Sequence, residues 1–329
     1  MKYNCYHEGF NLSEYSFLIT GGAGFIGSNI VEYLVQFKAK KILILDNLST
    51  GYLENIKHFI DLPNVHFVNG DIRSFETCKT ALNGIDFVAH LAALGSVPRS
   101  INDPISSNEV NVGGFLNMMI ASKEEKVKKF VYAASSSTYG DSQILPKREE
   151  LIGAPLSPYA VTKYVNELYA SVFSKVYGFN TIGLRYFNVF GPKQNVNGAY
   201  AAVIPLFISQ MLNGESPAIN GTGKTSRDFT FVSNVIQANI KAMFTEEISS
   251  DLVLNIACGA QTTLLELVDS INQNLGTTII PEFANFRSGD VMHSLADISK
   301  AKKLIDYVPE VPFSEGIKRA ISYFEELIN

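Results

Sequence analysis

Short apolar runs alternate with amphipathic stretches along the first half of the chain. Buried strands are predicted where apolar residues follow one another without interruption, at 17–20, 41–45, 65–68, 87–91, 130–133 and 181–184. Helices are predicted where apolar residues recur every three or four positions, at 26–37, 107–122 and 158–177. Strands that alternate with helices form βαβ units, so this pattern predicts an α/β fold with a doubly wound parallel sheet.

The pattern changes after residue 186, where the sequence becomes rich in Gly, Asn and Pro. A helix at 229–244 and a strand at 253–256 are predicted to return to the sheet, whereas a helix at 264–275 and another after Phe313 are assigned to a smaller α/β lobe that binds substrate. We therefore predict an N-terminal extension at 1–16, a sheet domain at 17–185 plus about 229–257, and a second lobe at 186–228 and 258–329. The extension has no function that its sequence reveals.

The composition excludes several classes of protein. The 329 residues are 46% hydrophobic and 18% charged, which is typical of a folded globular chain. The net charge of -5 and the absence of a Lys/Arg block argue against nucleic acid as a partner. Cys5, Cys78 and Cys258 are far apart and no His lies at metal-ligand spacing, so neither a disulfide nor a metal site is expected. Glu8 and Glu14 interrupt the first residues and no later segment reaches membrane-spanning length, so we expect a cytoplasmic protein without a membrane partner.

Three glycines, Gly21, Gly24 and Gly27, lie between the first predicted strand and the first predicted helix. In this setting they would let a pyrophosphate approach the backbone at a helix N-terminus, although an ordinary glycine-rich turn has the same residues. Asp46 follows the second strand, where a carboxylate can accept hydrogen bonds from an adenosine ribose and would repel a 2′-phosphate. Unless Asp46 is a simple turn residue, these features predict a Rossmann-type sheet that binds NAD rather than NADP.

Candidate catalytic residues lie on the helix predicted to begin at Pro158. Tyr159 and Lys163 are four residues apart and therefore share one face of that helix. Ser135 ends a predicted strand at the same edge of the sheet. A nearby ammonium and a positive nicotinamide would lower the pKa of a phenol, which would make Tyr159 a usable base with Ser135 on the proton path. The alternative is an exposed Tyr/Lys pair beside a Ser-rich turn.

Short segments with these residues occur along most of the chain. They are TGGAGFIGS (20–28), DNLSTG (46–51), GDIR (70–73), HLAALGSVPRS (90–100), SSSTYG (135–140), SPYAVTK (157–163), LRYFNVFGP (184–192), SRDF (226–229) and RSGDV (287–291). On these segments, residues 17–325 resemble the extended short-chain dehydrogenase/reductases, and among them the UDP-sugar 4-epimerases. ALGSVPRS and NGAYAAVIP (197–205) make the chain most similar to the epimerases of UDP-N-acetylhexosamines and their uronic acids.

The resemblance implies a set of binding residues. Asp71 and Ile72 would flank the adenine, Lys163 would hold the nicotinamide ribose, and Ser135 would contact the 4-hydroxyl of the sugar. The full set implied for NAD is Gly21, Gly24, Phe25, Ile26, Gly27, Asp46, Asn47, Ser49, Thr50, Gly51, Asp71, Ile72, Ala92, Tyr159, Lys163 and Val189. The set implied for the UDP-sugar is Gly95, Ser96, Ser135, Ser136, Tyr159, Asn188, Ala202, Val203, Ile204, Arg227, Arg287, Asp290 and Ser294.

Within the second set, the resemblance implies distinct roles. Arg227 and Arg287 would bind the pyrophosphate, Asp290 the uridine, and Asn188 the diphosphate or the sugar. A planar guanidinium suits a diphosphate, although surface arginines also form ordinary salt bridges.

The reaction implied is 4-epimerisation through a transient 4-keto sugar, with NAD regenerated in each turnover. Related dehydratases have an Asp-Glu pair directly after the catalytic Ser/Thr, and the decarboxylases keep a Glu there, whereas this chain has Ser136 and Ser137. A homodimer through the helices at 107–122 and 158–177 and a role in surface polysaccharide precursor synthesis are also expected.

Specificity is expected to depend on Ser294. Epimerases limited to UDP-glucose and UDP-galactose have a Tyr at the corresponding position, so a serine leaves room for an acetamido group, as does Gly95. A neutral N-acetylhexosamine and its uronic acid both fit this expectation. The alternatives left open are a UDP-glucose/UDP-galactose 4-epimerase, a 4-keto reductase of the same family, and a NAD-binding regulator without catalysis.

Overall fold

A seven-stranded parallel sheet forms the centre of the computed structural model, which describes residues 1–196, 202–245, 250–285 and 292–328. Its strands are β1 Ser16–Thr20, β2 Lys41–Asp46, β3 Val65–Asn69, β4 Phe87–His90, β5 Lys129–Ser135, β6 Thr181–Tyr186 and β11 Leu252–Ile256. They follow the order β3-β2-β1-β4-β5-β6-β11, and every neighbouring pair is parallel. From β1 the chain adds β2 and β3 on one side of the sheet, and it then adds β4, β5 and β6 on the other side. Parallel sheets of this kind bind dinucleotides at the switch point between β1 and β4.

Eleven α-helices are described. They are α1 Phe25–Gln36, α2 Phe75–Leu82, α3 Val97–Asn102, α4 Pro104–Asn108, α5 Phe115–Glu124, α6 Pro158–Tyr177, α7 Val203–Leu212, α8 Val232–Phe244, α9 Leu264–Leu275, α10 Ser299–Ile305 and α11 Phe313–Ile328. None of the helices in these described ranges has the length and apolarity needed to cross a membrane.

Helices cover both faces of the sheet because successive strand residues point to opposite sides. In β1, Phe17 and Ile19 pack into one hydrophobic core, whereas Leu18 packs into the other. All five residues of β1 are buried, as the uninterrupted apolar run predicts. The predicted α/β class with a doubly wound parallel sheet is confirmed.

The prediction of one continuous helix at 107–122 is wrong. The structure divides this stretch into α4, a π-helical turn at Glu109–Gly114, and α5. At Gly114 the turn packs closely against Ile72, because a Cβ at Gly114 would collide with the Ile72 side chain. The wider turn contains the buried Asn111, whose role in the groove is described below.

Helix α6 begins and ends at the residues predicted. The Ser157 side chain accepts a hydrogen bond from the Ala160 N–H, and Pro158 occupies the first turn. At the other end Gly178 adopts a left-handed conformation with φ of 65°. These signals fix the register of the helix that carries Tyr159 and Lys163.

Among the described residues beyond β6, six strands are only two or three residues long. They form the pairs β7–β10 (Val189–Phe190 with Thr230–Phe231), β8–β13 (Ala218–Asn220 with Glu282–Ala284) and β9–β12 (Ser226–Arg227 with Thr262–Thr263). Helix α8 therefore starts at Val232, later than the predicted 229, because Thr230 and Phe231 form β10. The predicted return of this segment to the sheet agrees with β11, which pairs with β6. The proposed domain boundaries stay predictions.

Candidate active site

A groove of about 510 Å³ runs along the carboxyl ends of the strands. Most of the residues predicted for NAD line it, namely Gly21, Gly24, Phe25, Ile26, Gly27, Asp46, Asn47, Ser49, Thr50, Asp71, Ile72, Ala92, Tyr159, Lys163 and Val189. Gly95, Ser96 and Ser135 from the substrate set also line it. Sequence reasoning missed other lining residues, among them Leu45, Gly70, Leu91, Leu94, Arg99, Val110 and Tyr186.

The glycine loop is shaped to receive a pyrophosphate. Gly21 has φ of +68°, and a Cβ there would lie 2.7 Å from the backbone nitrogen of Ala92. A Cβ at Gly27 would collide with the carbonyl oxygen of Gly21. Gly24 caps α1 without a side-chain hydrogen bond, so no side chain covers the first N–H groups of this helix. This arrangement fits the phosphates of a dinucleotide.

Asp46 connects the glycine loop to the loop after β2 on the cofactor side of the groove. Its carboxylate accepts hydrogen bonds from the backbone N–H of Ala23 at 3.0 Å and of Leu48 at 2.8 Å. Burial raises the pKa of Asp46 above its ordinary value, and these two hydrogen bonds oppose that shift. Gly51 does not line the groove, but a Cβ there would lie 2.9 Å from Asp46 Oδ2, so the glycine leaves room for the carboxylate. Asp46 therefore orders the glycine loop in addition to its proposed contact with ribose.

Asp71 lies beside Asp46 at the same end of the groove. It accepts a hydrogen bond from Asn47 Nδ2 at 3.0 Å and forms an ion pair with Arg73 at 2.8 Å. The hydrogen bonds from Arg73 lower the pKa of Asp71 to about 2. This network joins the loops that follow β2 and β3, where the adenosine is expected.

Two polar residues missed by sequence reasoning join the loops in the middle of the groove. Thr20 ends β1, and its Oγ1 accepts the backbone N–H of Leu91 and of Ala92 at 3.2 Å each and lies 2.9 Å from His90 Nδ1. Burial lowers the pKa of His90 to about 3, so the ring is neutral at physiological pH. The sequence signal that could have found them is that Thr20 and His90 are polar residues at the ends of two buried strands.

Tyr159, Lys163 and Ser135 come together at the end of β5, as predicted. Lys163 Nζ donates a hydrogen bond to the Ala133 carbonyl oxygen at 2.8 Å and lies 6.0 Å from the centroid of the Tyr159 ring. Burial lowers the pKa of Lys163 to about 8. The expected lowering of the pKa of Tyr159 by this ammonium does not appear, because burial dominates and raises that pKa.

Ser135 is oriented toward Tyr159 by its neighbour. Its Oγ accepts hydrogen bonds from the Ser137 hydroxyl at 2.8 Å and the Ser137 backbone N–H at 3.1 Å. Because both bonds use acceptor positions, the Ser135 hydroxyl proton is available to donate to Tyr159. This hydrogen bond lowers the pKa of Tyr159 and partly offsets the effect of burial. Ser136 begins the 3₁₀ turn that follows and does not line the groove.

The short loop at 94–96 and the first turn of α3 line the groove as well. The Asn111 side chain holds Leu94 through two hydrogen bonds, accepting its N–H at 2.7 Å and donating to its carbonyl at 3.2 Å. Ser96 has an unusual positive φ of 102°, which is typical of a functional loop. The Ser100 hydroxyl oxygen accepts the Tyr159 backbone N–H at 3.0 Å. These contacts connect the wall of the groove directly to the start of α6.

The remaining residues predicted for the substrate lie away from the groove lining. Asn188 is exposed after β6, Ile204 is buried in the core within α7, and Ala202 and Val203 lie at the start of that helix. The Arg227 guanidinium donates to the Ser226 carbonyl at 3.0 Å. Arg287 and Asp290 lie outside the described residues.

Ser294 and Gly95 are the two positions expected to leave room for an acetamido group. The Ser294 N–H donates to the Ser226 carbonyl at 3.1 Å, and its buried Oγ has no hydrogen-bond partner within the described part of the chain. Gly95 lines the groove, and a Cβ there would meet no atom within 4 Å. The groove is therefore open beside Gly95.

Comparison with known proteins identifies the family. A family model described as GDP-mannose 4,6 dehydratase matches residues 18–320. A putative UDP-glucose 4-epimerase from Methanocaldococcus jannaschii is 37% identical over 310 residues, which are 94% of this chain and 98% of the relative. The chain therefore belongs to the extended short-chain dehydrogenase/reductases that this family model describes.

Two solved structures narrow the class. A UDP-N-acetylglucosamine 4-epimerase from Methanobrevibacter ruminantium M1, in complex with UDP-N-acetylmuramic acid, is 39% identical with a TM-score of 0.90, covering 95% of this chain and 99% of its own. A UDP-glucuronic acid 4-epimerase from Bacillus cereus, with UDP-glucuronic acid and NAD, is 30% identical with a TM-score of 0.88, at 95% and 99% coverage. Within its family the chain is a UDP-sugar 4-epimerase, an isomerase that uses NAD.

Proposed function

We propose that this enzyme interconverts the 4-epimers of a UDP-N-acetylhexosamine or of its uronic acid. The observation that carries the proposal is the hydrogen bond between Ser135 and Tyr159, with the Lys163 ammonium 6.0 Å from the Tyr159 ring, at the catalytic end of the groove. Two serines follow Ser135, and no carboxylate lines this end of the groove within the described part of the chain. Without such an acid, the simplest reaction at C4 removes the hydroxyl proton and the C4 hydride and then returns both.

Each residue has a defined task in this reaction. Tyr159 removes the proton of the 4-hydroxyl, and Ser135 donates a hydrogen bond that stabilises the charge on the phenol oxygen. Lys163 contributes a nearby cation whose position is fixed by the Ala133 carbonyl. When bound, NAD supplies the acceptor for the C4 hydride and a positive charge beside the phenol. After the 4-keto sugar has turned over, the hydride returns to the opposite face of C4 and Tyr159 returns the proton to O4.

The cofactor would be held by the residues of the glycine loop and the loops after β2 and β3. The N–H groups at the start of α1 would bind the pyrophosphate, Asp46 the adenosine ribose, and Lys163 the nicotinamide ribose. Asp71 and Ile72 would flank the adenine.

The preference for an acetamido sugar rests on two positions. The space beside Gly95 can accept a substituent larger than a hydroxyl, and a serine at position 294 has a small side chain. The similarity to an enzyme described as a UDP-N-acetylglucosamine 4-epimerase supports this choice. The rival substrate pair is UDP-glucose and UDP-galactose, which is favoured by the name of the relative from M. jannaschii.

The proposal is tested by incubating the purified protein with UDP-hexoses, UDP-N-acetylhexosamines and their uronates, each in both 4-epimeric forms, and separating the products. We expect epimerisation of at least one acetamido substrate to exceed that of UDP-galactose. Faster turnover of UDP-galactose would overturn the proposed specificity.

Measuring NADH at 340 nm in the same reactions distinguishes the reaction types. An epimerase gives no net redox change, whereas a 4-keto reductase consumes a nicotinamide cofactor stoichiometrically. A protein that binds NAD but converts none of the sugars would be a regulator. We further propose that the product supplies surface polysaccharide synthesis in the cytoplasm.

A further inference from the structure

The N-terminal arm, residues 1–15, lies outside the region that the family model matches. It is nevertheless well packed, because Tyr3, Tyr6 and Leu12 are buried. The Tyr6 ring stacks on Tyr33 of α1 with centroids 5.5 Å apart, and the Tyr3 ring meets Tyr33 edge-on at 5.6 Å. The arm therefore covers one face of the helix whose N-terminus faces the groove.

Three polar residues on that face of α1 bond to the arm. Asn29, Tyr33 and Gln36 share a face because they are four and three residues apart. The Gln36 amide accepts the Tyr3 backbone N–H at 3.0 Å and donates to the Tyr3 carbonyl at 2.8 Å. The Tyr33 hydroxyl accepts the Tyr6 N–H at 2.8 Å. Polar contacts thus fix the arm in one register along α1.

Asn29 links the arm to the groove. It is fully buried, and its Oδ1 accepts a hydrogen bond from the Tyr3 hydroxyl at 3.1 Å. Its Nδ2 donates to the carbonyl oxygens of Phe25 at 2.8 Å and Pro192 at 3.1 Å. Phe25 lines the groove in the first turn of α1, and Pro192 is three residues after Val189, which also lines the groove.

We propose that Tyr3 is a positioning residue for NAD, which acts by orienting the Asn29 amide so that it holds the first turn of α1 against the segment after Val189. This inference rests on the NAD-dependent reaction proposed above, but not on the identity of the sugar. Burial raises the pKa of Tyr3 far above its ordinary value, so its hydroxyl remains protonated and can donate. Tyr3→Phe leaves the buried Asn29 oxygen without its partner and lets the amide rotate.

The matched control is Tyr6→Phe. In the parent protein the Tyr6 hydroxyl donates to Glu310 Oε2 at 3.2 Å rather than to α1. Tyr6→Phe therefore removes one arm hydroxyl and keeps the ring that stacks on Tyr33. Both variants lose a single oxygen atom from the same arm. Only the loss of the Tyr3 hydroxyl is expected to change how the groove binds NAD.

The experiment measures the NAD content of the dialysed protein and the Kd for NAD of the stripped protein, without any UDP-sugar. We expect Tyr3→Phe to weaken NAD binding about three- to tenfold, since one buried hydrogen bond is lost, with kcat at saturating NAD within about twofold of the parent. Tyr6→Phe should bind NAD as the parent does. Unchanged NAD affinity in Tyr3→Phe, or an equal loss in Tyr6→Phe, would overturn the proposal.

A double-mutant cycle with Asn29→Ala separates positioning from general destabilisation. If Tyr3 acts through Asn29, adding Tyr3→Phe to Asn29→Ala causes no further loss of NAD affinity. Independent, additive losses would contradict the proposal. If no UDP-sugar were epimerised, the function proposed above would fail while these affinities would still test the role of Tyr3.

Discussion

The two ends of the groove are built differently. At the cofactor end, Gly21, Asp46 and Asp71 come from loops that follow neighbouring strands of one sheet, β1, β2 and β3. Two of the residues predicted for the substrate, Arg227 in the short strand β9 and Ser294 bonded to Ser226 of that strand, are 67 positions apart in sequence and are not among the residues that line the groove. A motif placed directly after a buried parallel strand has its position fixed by the sheet edge. A motif beyond β6 depends on tertiary packing, so its sequence says less about where it lies.

The largest effect is expected where the two ends meet. Tyr159→Phe removes the proposed general base and should lower kcat at least about 100-fold, with NAD content and the fold unchanged. The measurement is turnover of the best substrate, with circular dichroism and NAD release on the same sample. Tyr164→Phe, on the same helix and away from the groove lining, is the control and should keep parental turnover. Near-normal turnover of Tyr159→Phe would refute the assignment.

A second large effect would sharpen the comparison at the substrate end. Ser294→Tyr should lower turnover of acetamido substrates relative to UDP-galactose by about 100-fold or more, because steric exclusion can cost several kcal/mol. The measurement is kcat/KM for UDP-GalNAc and UDP-galactose. Ser294→Ala removes only a hydroxyl that has no partner among the described residues, so both substrates should be turned over at close to the parental rate. If Ser294→Tyr still epimerises UDP-GalNAc at the parental rate, this position does not control specificity.

A smaller effect is expected at the cofactor end. Asp46→Ala combined with Asn47→Arg should weaken NAD binding roughly tenfold and improve NADP binding, because the carboxylate that repels a 2′-phosphate is replaced by a cation. Dissociation constants for both cofactors provide the test. The Ala23 and Leu48 N–H groups bond to different oxygens of Asp46, so Asp46→Asn removes the charge and keeps an acceptor for only one of them. Equal affinity of the parent protein for NAD and NADP would contradict this interpretation.

The smallest effect on catalysis is expected on the outer face of α6. Val161, Leu168 and Val172 are each nearly half exposed and share one face of this helix, and Ile105 of α4 is also exposed. We expect this apolar face to form a homodimer, and Leu168→Asp to shift the protein toward monomer in sedimentation at micromolar concentration. Lys302→Ala, which makes the same change of net charge at an exposed residue of another helix, α10, is the control. A parent protein that sediments as a monomer would rule the dimer out.

The sequence predicted the sheet and the cofactor loops well because their signals are local. The strand bounds differ from the predicted ones by two residues at most, since most of these strands are buried apolar runs. Glycines that must approach other backbone, such as Gly21 and Gly27, are recognisable from their spacing together with their place between a predicted strand and a predicted helix. The helix at 107–122 was predicted without its π-helical turn because the packing of Gly114 on Ile72 joins residues distant in sequence.

The residues that sequence reasoning missed act through long-range hydrogen bonds. Thr20 and His90 are 70 positions apart, and Ser100 contacts the backbone of Tyr159 across 59 positions. No spacing rule connects such pairs before the fold is known. The same limit left residues 1–15 without a function in the sequence, although Tyr3 bonds to α1.

The chain leaves the sheet after β6 and returns to its edge at β11, which pairs with β6 itself. The residues between these strands, including β9 with Arg227, are therefore not an independent unit that could be replaced by another domain. Replacing them would also replace the buried helix α8, and the substitute would have to return β11 to its place beside β6. New substrate preferences in such a chain are expected to arise by point substitution in the loops, as at position 294, and to be inherited together with an unaltered sheet.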